Sequence, residues 1–174
     1  MHIGKDQITG GREGCVASAT ITDFFRDIDK VKSRFKTGTP ARINKHTIDY
    51  SKLEEQPSDN NVECFHYGHN VSDRFVKQVS CYLAHTNSDT MEIIRSNKER
   101  SPMFNGQVKA VGARYCPSIE DKAYRYPDKD IHHVFVEPEG ENMDTMYPSG
   151  MSTSLPRDVQ DDFICSMVGL EQAK

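Results

Sequence analysis

The sequence predicts an α+β fold: a mixed or antiparallel sheet of about six short strands with about three helices. Three observations predict it. Apolar residues alternate with polar ones in several short runs, as in strands with one buried face. Elsewhere they recur three and four residues apart, as on amphipathic helices. Between these runs lie clusters of Gly, Pro, Ser, Thr, Asn and Asp that end one element before the next begins.

In chain order, the opening HIGKDQITGG is glycine-punctuated and reads as a strand end followed by a turn. Ile21, Phe24, Phe25 and Ile28 have helical spacing and predict a helix over 17–30. RFKTGTPARI is basic, and Gly38 and Pro40 turn it from strand into loop. HTIDYSKL at 46–53 alternates and predicts a short strand, followed by the polar turn EEQPSDNN. VECFHY and KQVSCYLAHT predict two more strands.

Asn87 or Ser88 is placed to cap a helix over 89–97 that faces Met91, Ile94 and Ile93 inward. QVKAVG at 107–112 and IHHVFVEP at 131–138 predict further strands, the latter stopped by Pro138. MYPSGMSTSLP reads as a long irregular segment. Pro156 suits the first turn of a closing helix, with Val159, Phe163, Met167 and Leu170 on one stripe.

The 174 residues suit a single domain, 1–174, with no internal repeat and no linker. A hydrophobic fraction of 36% and a mean hydropathy of −0.70 are low for a self-sufficient globule. They suit a loop-rich domain or a piece that packs on a larger protein. The net charge of −4 gives no bulk attraction to nucleic acid or an anionic membrane. RNA contact would therefore rest on a local basic stretch, 30–45, which includes Lys36 and Arg42.

No apolar run approaches the roughly 18 residues that span a bilayer, so no membrane association is expected. The N-terminus lacks the apolar core of a signal peptide. The five cysteines, an odd number at irregular spacings, fit reduced thiols in a cytoplasmic setting.

Three chemistries compete. TGGREG and KTGTP contain glycines but match neither a dinucleotide fingerprint nor a full phosphate loop. Cys64, His66, His69 and Cys81 offer a small zinc site, yet no CxxC pair exists and no metal is assigned. The third is a nucleophilic thiol at Cys116, in GARYCPSIEDK. Arg114 lies two residues before it, and Pro117 can start a helix whose N-terminus favours thiolate. The bland reading is a cysteine filling a turn.

Several phrases in order then carry a resemblance: HIG with GGR, KTGTPARI, CYLAHTN, IIRSN, SPMFNGQVKAVGARYCPSIEDK, VFVEPEG and YPSGMSTSLP. Together they resemble the central region of the tRNA wobble-uridine modification flavoenzymes, the glucose-inhibited-division-protein-A or MnmG family. The resemblance implies an enzyme that adds an aminomethyl-type group to C5 of the wobble uridine. It implies FAD and NADH as cofactors, methylenetetrahydrofolate as carbon donor, tRNA as substrate, a GTPase of the MnmE family as partner, and a homodimer.

It also makes Cys116 the catalytic thiol. The surrounding Gly112, Ala113, Arg114, Tyr115, Pro117, Ser118, Ile119, Glu120, Asp121 and Lys122 become the nicotinamide-dinucleotide segment, and Lys36 and Arg42 become RNA contacts. Against the family pattern, Ala113 and Ala41 stand where proline is usual, and SRFKTG stands for GRLKTG. The Rossmann GxGxxG that anchors FAD is absent. The chain thus resembles an inserted domain with a little flavin-domain scaffold, expected not to hold FAD or turn over alone. The alternative is a non-catalytic RNA- or dinucleotide-binding module.

Overall fold

Short β-branched and aromatic runs pair, and amphipathic helices cover one side of them. The computed structural model describes residues 1–10, 16–28, 35–59, 64–68 and 78–174. In chain order the strands are β1 (His2–Ile3), β2 (Asp6–Gln7), β3 (Phe35–Lys36), β4 (Ile43–Asn44), β5 (Glu54–Gln56), β6 (Cys81–His85), β7 (Val111–Gly112), β8 (His133–Pro138) and β9 (Thr145–Ser149). The helices are α1 (Ala19–Asp27), α2 (Ser88–Ser96), α3 (Ile119–Arg125) and α4 (Arg157–Cys165). The architecture is α+β, as the sequence predicts.

The main sheet has five strands in the order β4-β9-β8-β6-β5, every neighbouring pair antiparallel. Strand β8 shows the alternation plainly: Val134 and Val136 are buried while His133 and Phe135 face out. The inward residues meet Met91 and Ile94 of α2, Ile119 and Ala123 of α3, and Val159 and Phe163 of α4 in one core. Each fully buried Val, Ile, Met or Phe side chain contributes about 1.5–3 kcal/mol of hydrophobic stabilisation. On the outward face His85, His133 and Phe135 are exposed.

Caps fix where the helices begin. The Asn87 side chain accepts from the Thr90 N–H at 2.9 Å, and the Thr90 hydroxyl returns to the Asn87 N–H. Asn87 also donates to the Ser166 carbonyl at 2.7 Å, tying the start of α2 to the end of α4. At the other end of the chain, Gly4 approaches so closely that a Cβ there would lie 2.6 Å from Pro156 Cβ. Its N–H donates to the Ser154 carbonyl, which docks the β1–β2 hairpin on the closing segment.

Four sequence expectations are corrected. Residues 46–53 form two 3₁₀ turns, Lys45–Thr47 and Tyr50–Lys52, in place of a strand. The Asn44 and Asp49 side chains capture the His46 and Ser51 N–H groups and so favour turns over a ladder. MYPSGMSTSLP, which the sequence predicts to be irregular, contains most of β9. Strand β4 reaches only Thr145 and Met146, so Pro148 lies where β8 alone flanks the strand.

The strand over 107–112 shrinks to Val111–Gly112. In α4, Pro156 is the N-cap, and Met167 and Leu170 follow beyond the helix although both are buried. Much of VECFHY and its flanks lies outside the described residues. So do Lys30, Lys32, Arg34, Cys15 and His69. Among the described residues no helix is long and apolar enough to cross a membrane.

Candidate functional site: the Cys116 loop

The loop exists because two distant motifs pair. Strand β3 runs parallel to β7 with Phe35 opposite Val111 and Lys36 opposite Gly112. The pairing continues weakly through the Ala113 N–H to the Lys36 carbonyl at 3.4 Å. KTGTP is thereby brought against GARYCP, a juxtaposition 79 residues apart in sequence at its closest side-chain contact. That contact is between Thr37 Oγ1 and Cys116 Sγ, at 3.8 Å.

From Gly112 the chain makes a tight turn in which the Cys116 N–H donates to the Ala113 carbonyl. Tyr115 takes φ = 61°, a left-handed conformation that a residue with a Cβ rarely adopts. The residue is 85% exposed, and the Arg114 guanidinium lies 4.6 Å from the ring centre. Cys116 is exposed as well. A thiol, a cation and a flat ring are thus presented together at the surface.

Immediately downstream the structure becomes rigid. Ser118 is the N-cap of α3, two residues beyond the cysteine. Its hydroxyl accepts from the Asp121 N–H, and Asp121 accepts from the Ser118 N–H, each at 3.1 Å. Serine outcompetes cysteine for the cap because its oxygen is the better acceptor, so Cys116 sits outside the helix. Ile119 is fully buried and donates its N–H to the Ser152 carbonyl at 2.8 Å.

Glu120 is fully buried. Its Oε1 accepts from the Ser154 N–H at 3.0 Å, the Ser154 hydroxyl at 3.3 Å and the Ser101 hydroxyl at 3.2 Å. Its Oε2 is buried without a hydrogen-bond partner among the described residues. One carboxylate therefore links SPMFNG, SIEDK and STSLP.

The other residues named from sequence divide by what they hold. Lys122 is tied to the turn after β9, where its ammonium donates to the Gly150 carbonyl at 3.0 Å. Burial, helped by the nearby Lys129 charge, lowers its pKa. Lys36 lies along Gly112, where a Cβ would meet Lys36 Cε at 3.3 Å, and its ammonium contacts Met103 Sδ. Arg42 is held farther off: Nε donates to Glu139 Oε1 at 2.6 Å, and Nη1 donates to Thr39 Oγ1 and the Pro40 carbonyl. Its guanidinium also lies 4.6 Å from the Tyr147 ring centre.

Of the zinc ligands considered, Cys64 and His66 are exposed and Cys81 is half-buried in β6. Among the described residues no group of three or more His, Cys, Asp or Glu side chains could hold a metal ion. Sequence reasoning did not single out Thr37, Ser101 or Ser154. Only Ser118 carried a readable signal, the Ser-x-x-Asp spacing of a capping box.

The pairing of KTGTP with GARYCP, locked by SIEDK and STSLP, joins the phrases on which the resemblance rests. The family model for glucose inhibited division protein A matches residues 1–174. The chain belongs to that family. A tRNA uridine 5-carboxymethylaminomethyl modification enzyme, MnmG, from Clostridium botulinum strain Okra is 55% identical over 172 residues. Its counterpart from strain Hall is 48% identical over the same length.

Each alignment covers 99% of this chain and 27% of the relative, so the chain spans about a quarter of those proteins. The structure of Aquifex aeolicus GidA in its form I crystal matches with a TM-score of 0.81 at 42% identity. That match covers 99% of this chain and 30% of the Aquifex chain. The form II crystal gives 0.79 at 41% identity. The α+β arrangement described above is thus a part of the GidA fold.

Proposed function

We propose that this chain is the part of a tRNA-modifying flavoenzyme that presents the reactive thiol for C5 modification of the wobble uridine. The observation that carries the reading is Cys116, exposed on a short loop, touching Thr37 of the second family motif and anchored through Ser118 and Glu120. A thiol serves such chemistry when it is accessible and held in one place. The relatives named MnmG at 48% and 55% identity support the substrate class.

The loop residues suit NADH, an anionic ligand with flat rings. Arg114 supplies positive charge, the exposed Tyr115 residue supplies a stacking surface, and Gly112 keeps the backbone bare. They do not suit FAD in the same way, because no glycine-rich strand–turn–helix cradles a second pyrophosphate. In the complete enzyme a bound flavin, reduced by NADH, would supply the reducing power for installing a carbon drawn from methylenetetrahydrofolate. The chain alone does not turn over.

Lys36 and Arg42 contact the tRNA. Arg42 stays 36% exposed while bound to Glu139, so phosphate competes with that carboxylate for the same guanidinium. The parent enzyme works in the cytoplasm as a homodimer beside a GTPase of the MnmE type.

The test is made in the complete enzyme that carries this region, with wobble-uridine modification read by nucleoside mass spectrometry. Cys116→Ser abolishes modification, and Cys165→Ser leaves it in place. Retained modification in Cys116→Ser would end the proposal.

A further inference from the structure

The outward face of the main sheet holds a second cluster that the thiol chemistry does not use. His85 on β6 and His133 on β8 are directly opposite each other in the antiparallel pair. Both are exposed. Their ring centres are 5.0 Å apart with planes at 86°. Among the described residues, neither ring nitrogen is engaged in a hydrogen bond.

The backbone beneath them is fixed. The adjacent cross-strand pair, Ala84 and Val134, is buried in the core, so a register slip would cost the inner face of both strands. One residue beyond, the Thr86 N–H donates to the His132 carbonyl at 3.0 Å, and the His132 N–H donates to Thr86 Oγ1 at 2.8 Å. The two histidine Cβ atoms are therefore held at constant separation, and only side-chain torsions remain free. Phe135 flanks His133 at 6.4 Å between ring centres, which keeps one side of the pair apolar.

Two imidazoles that share a divalent ion bind it at about 2.0–2.1 Å from each nitrogen, which sets the ring centres about 5 Å apart. The observed separation already has that value, so binding would need ring rotation without strand movement. Imidazole pairs favour the late first-row divalent ions, whereas magnesium and calcium demand oxygen. No third protein ligand gathers here among the described residues. Such a site would leave the ion's other positions to water or an added ligand.

We propose that His85 and His133 form a two-imidazole site for a late first-row divalent cation on the open face of the sheet. The site is independent of the Cys116 reading.

The test titrates the protein with Ni²⁺, chosen because it binds imidazole without oxidising the cysteines. Affinity is read by calorimetry, and the place of binding by paramagnetic broadening of amide signals. One tight equivalent is expected, broadening residues 84–86 and 132–135 first. His85→Asn and His133→Asn should each weaken it by about tenfold or more, because the second imidazole acts at high effective concentration. His46→Asn, at another exposed histidine, should leave it unchanged. Both site residues are exposed, so the variants retain the core. Wild-type affinity in either single variant, or broadening centred on residues 64–68, would overturn the proposal.

Discussion

Helices α1 and α4 come from the same kind of sequence pattern and meet opposite fates. In α4 and the turn after it, Val159, Phe163, Met167 and Leu170 are at most 1% exposed. In α1 and its C-cap, Ile21, Phe24, Phe25 and Ile28 are between 41% and 59% exposed. Phe24 and Phe25 meet each other edge to face, yet α1 joins no part of the core cluster. The contrast teaches that periodicity specifies a helix and its apolar side, while burial depends on what lies opposite. For α4 that is α2 and the core the helices share with the sheet; for α1 no such surface occurs among the described residues.

Truncation should separate the two most strongly. Phe163→Ala removes a fully buried ring and should cost about 3–5 kcal/mol in denaturant unfolding. Phe24→Ala should cost no more than about 0.5 kcal/mol. A large loss from Phe24→Ala would show that α1 packs after all and dissolve the comparison.

Next in size is Glu120→Ala. It strands the Ser154 N–H inside the core and leaves the Ser101 and Ser154 hydroxyls only each other, and should cost about 2–3 kcal/mol. A cost near zero would mean that the carboxylate does not join the three segments. Asn87→Ala removes both a cap and the link to Ser166 and should cost about 1 kcal/mol, read as a lower denaturation midpoint.

The smallest effect sharpens the comparison through pH. Burial, with the charges of Lys122 and Lys129 behind it, lowers the His132 pKa in the folded chain. The unfolded chain therefore takes up the proton first, and stability is lost as pH falls below about 6.5, the ordinary histidine value. The wild-type unfolding midpoint should decline through that range, and His132→Gln should flatten the decline. An unchanged slope in the variant would assign the acid sensitivity to other groups.

Much of the core was legible because its elements follow one rule each. Strand β8 alternates, α2 begins at Asn87, and β6 is an apolar run between polar turns. The misses have equally local causes. Asn44 and Asp49 converted an alternating run into turns by capturing backbone N–H groups. Strand β9 hid behind Pro148, whose position beside a short neighbour made it tolerable.

The site was legible as a list and not as an arrangement. GARYCPSIEDK drew attention to Cys116 through its residue types, and the family resemblance gave that thiol a role. Nothing in the sequence said that Thr37 would lie against Cys116, since only the β3–β7 pairing creates that contact. Nor did composition distinguish Glu120, locked in the core, from Glu and Asp residues on the surface. A buried carboxylate declares itself only when its partners are in place.

The central claim is that Cys116 is held as a reactive thiol rather than merely left at the surface, and Cys64 supplies the comparison because it too is exposed. The measurement is the rate at which each cysteine is alkylated by iodoacetamide at neutral pH, resolved by peptide mass spectrometry. Cys81 and Cys165 should react slowly, since burial raises both thiol pKa values. Cys116 should react faster than Cys64. Equal rates at Cys116 and Cys64 would make Cys116 an ordinary surface thiol and contradict the account.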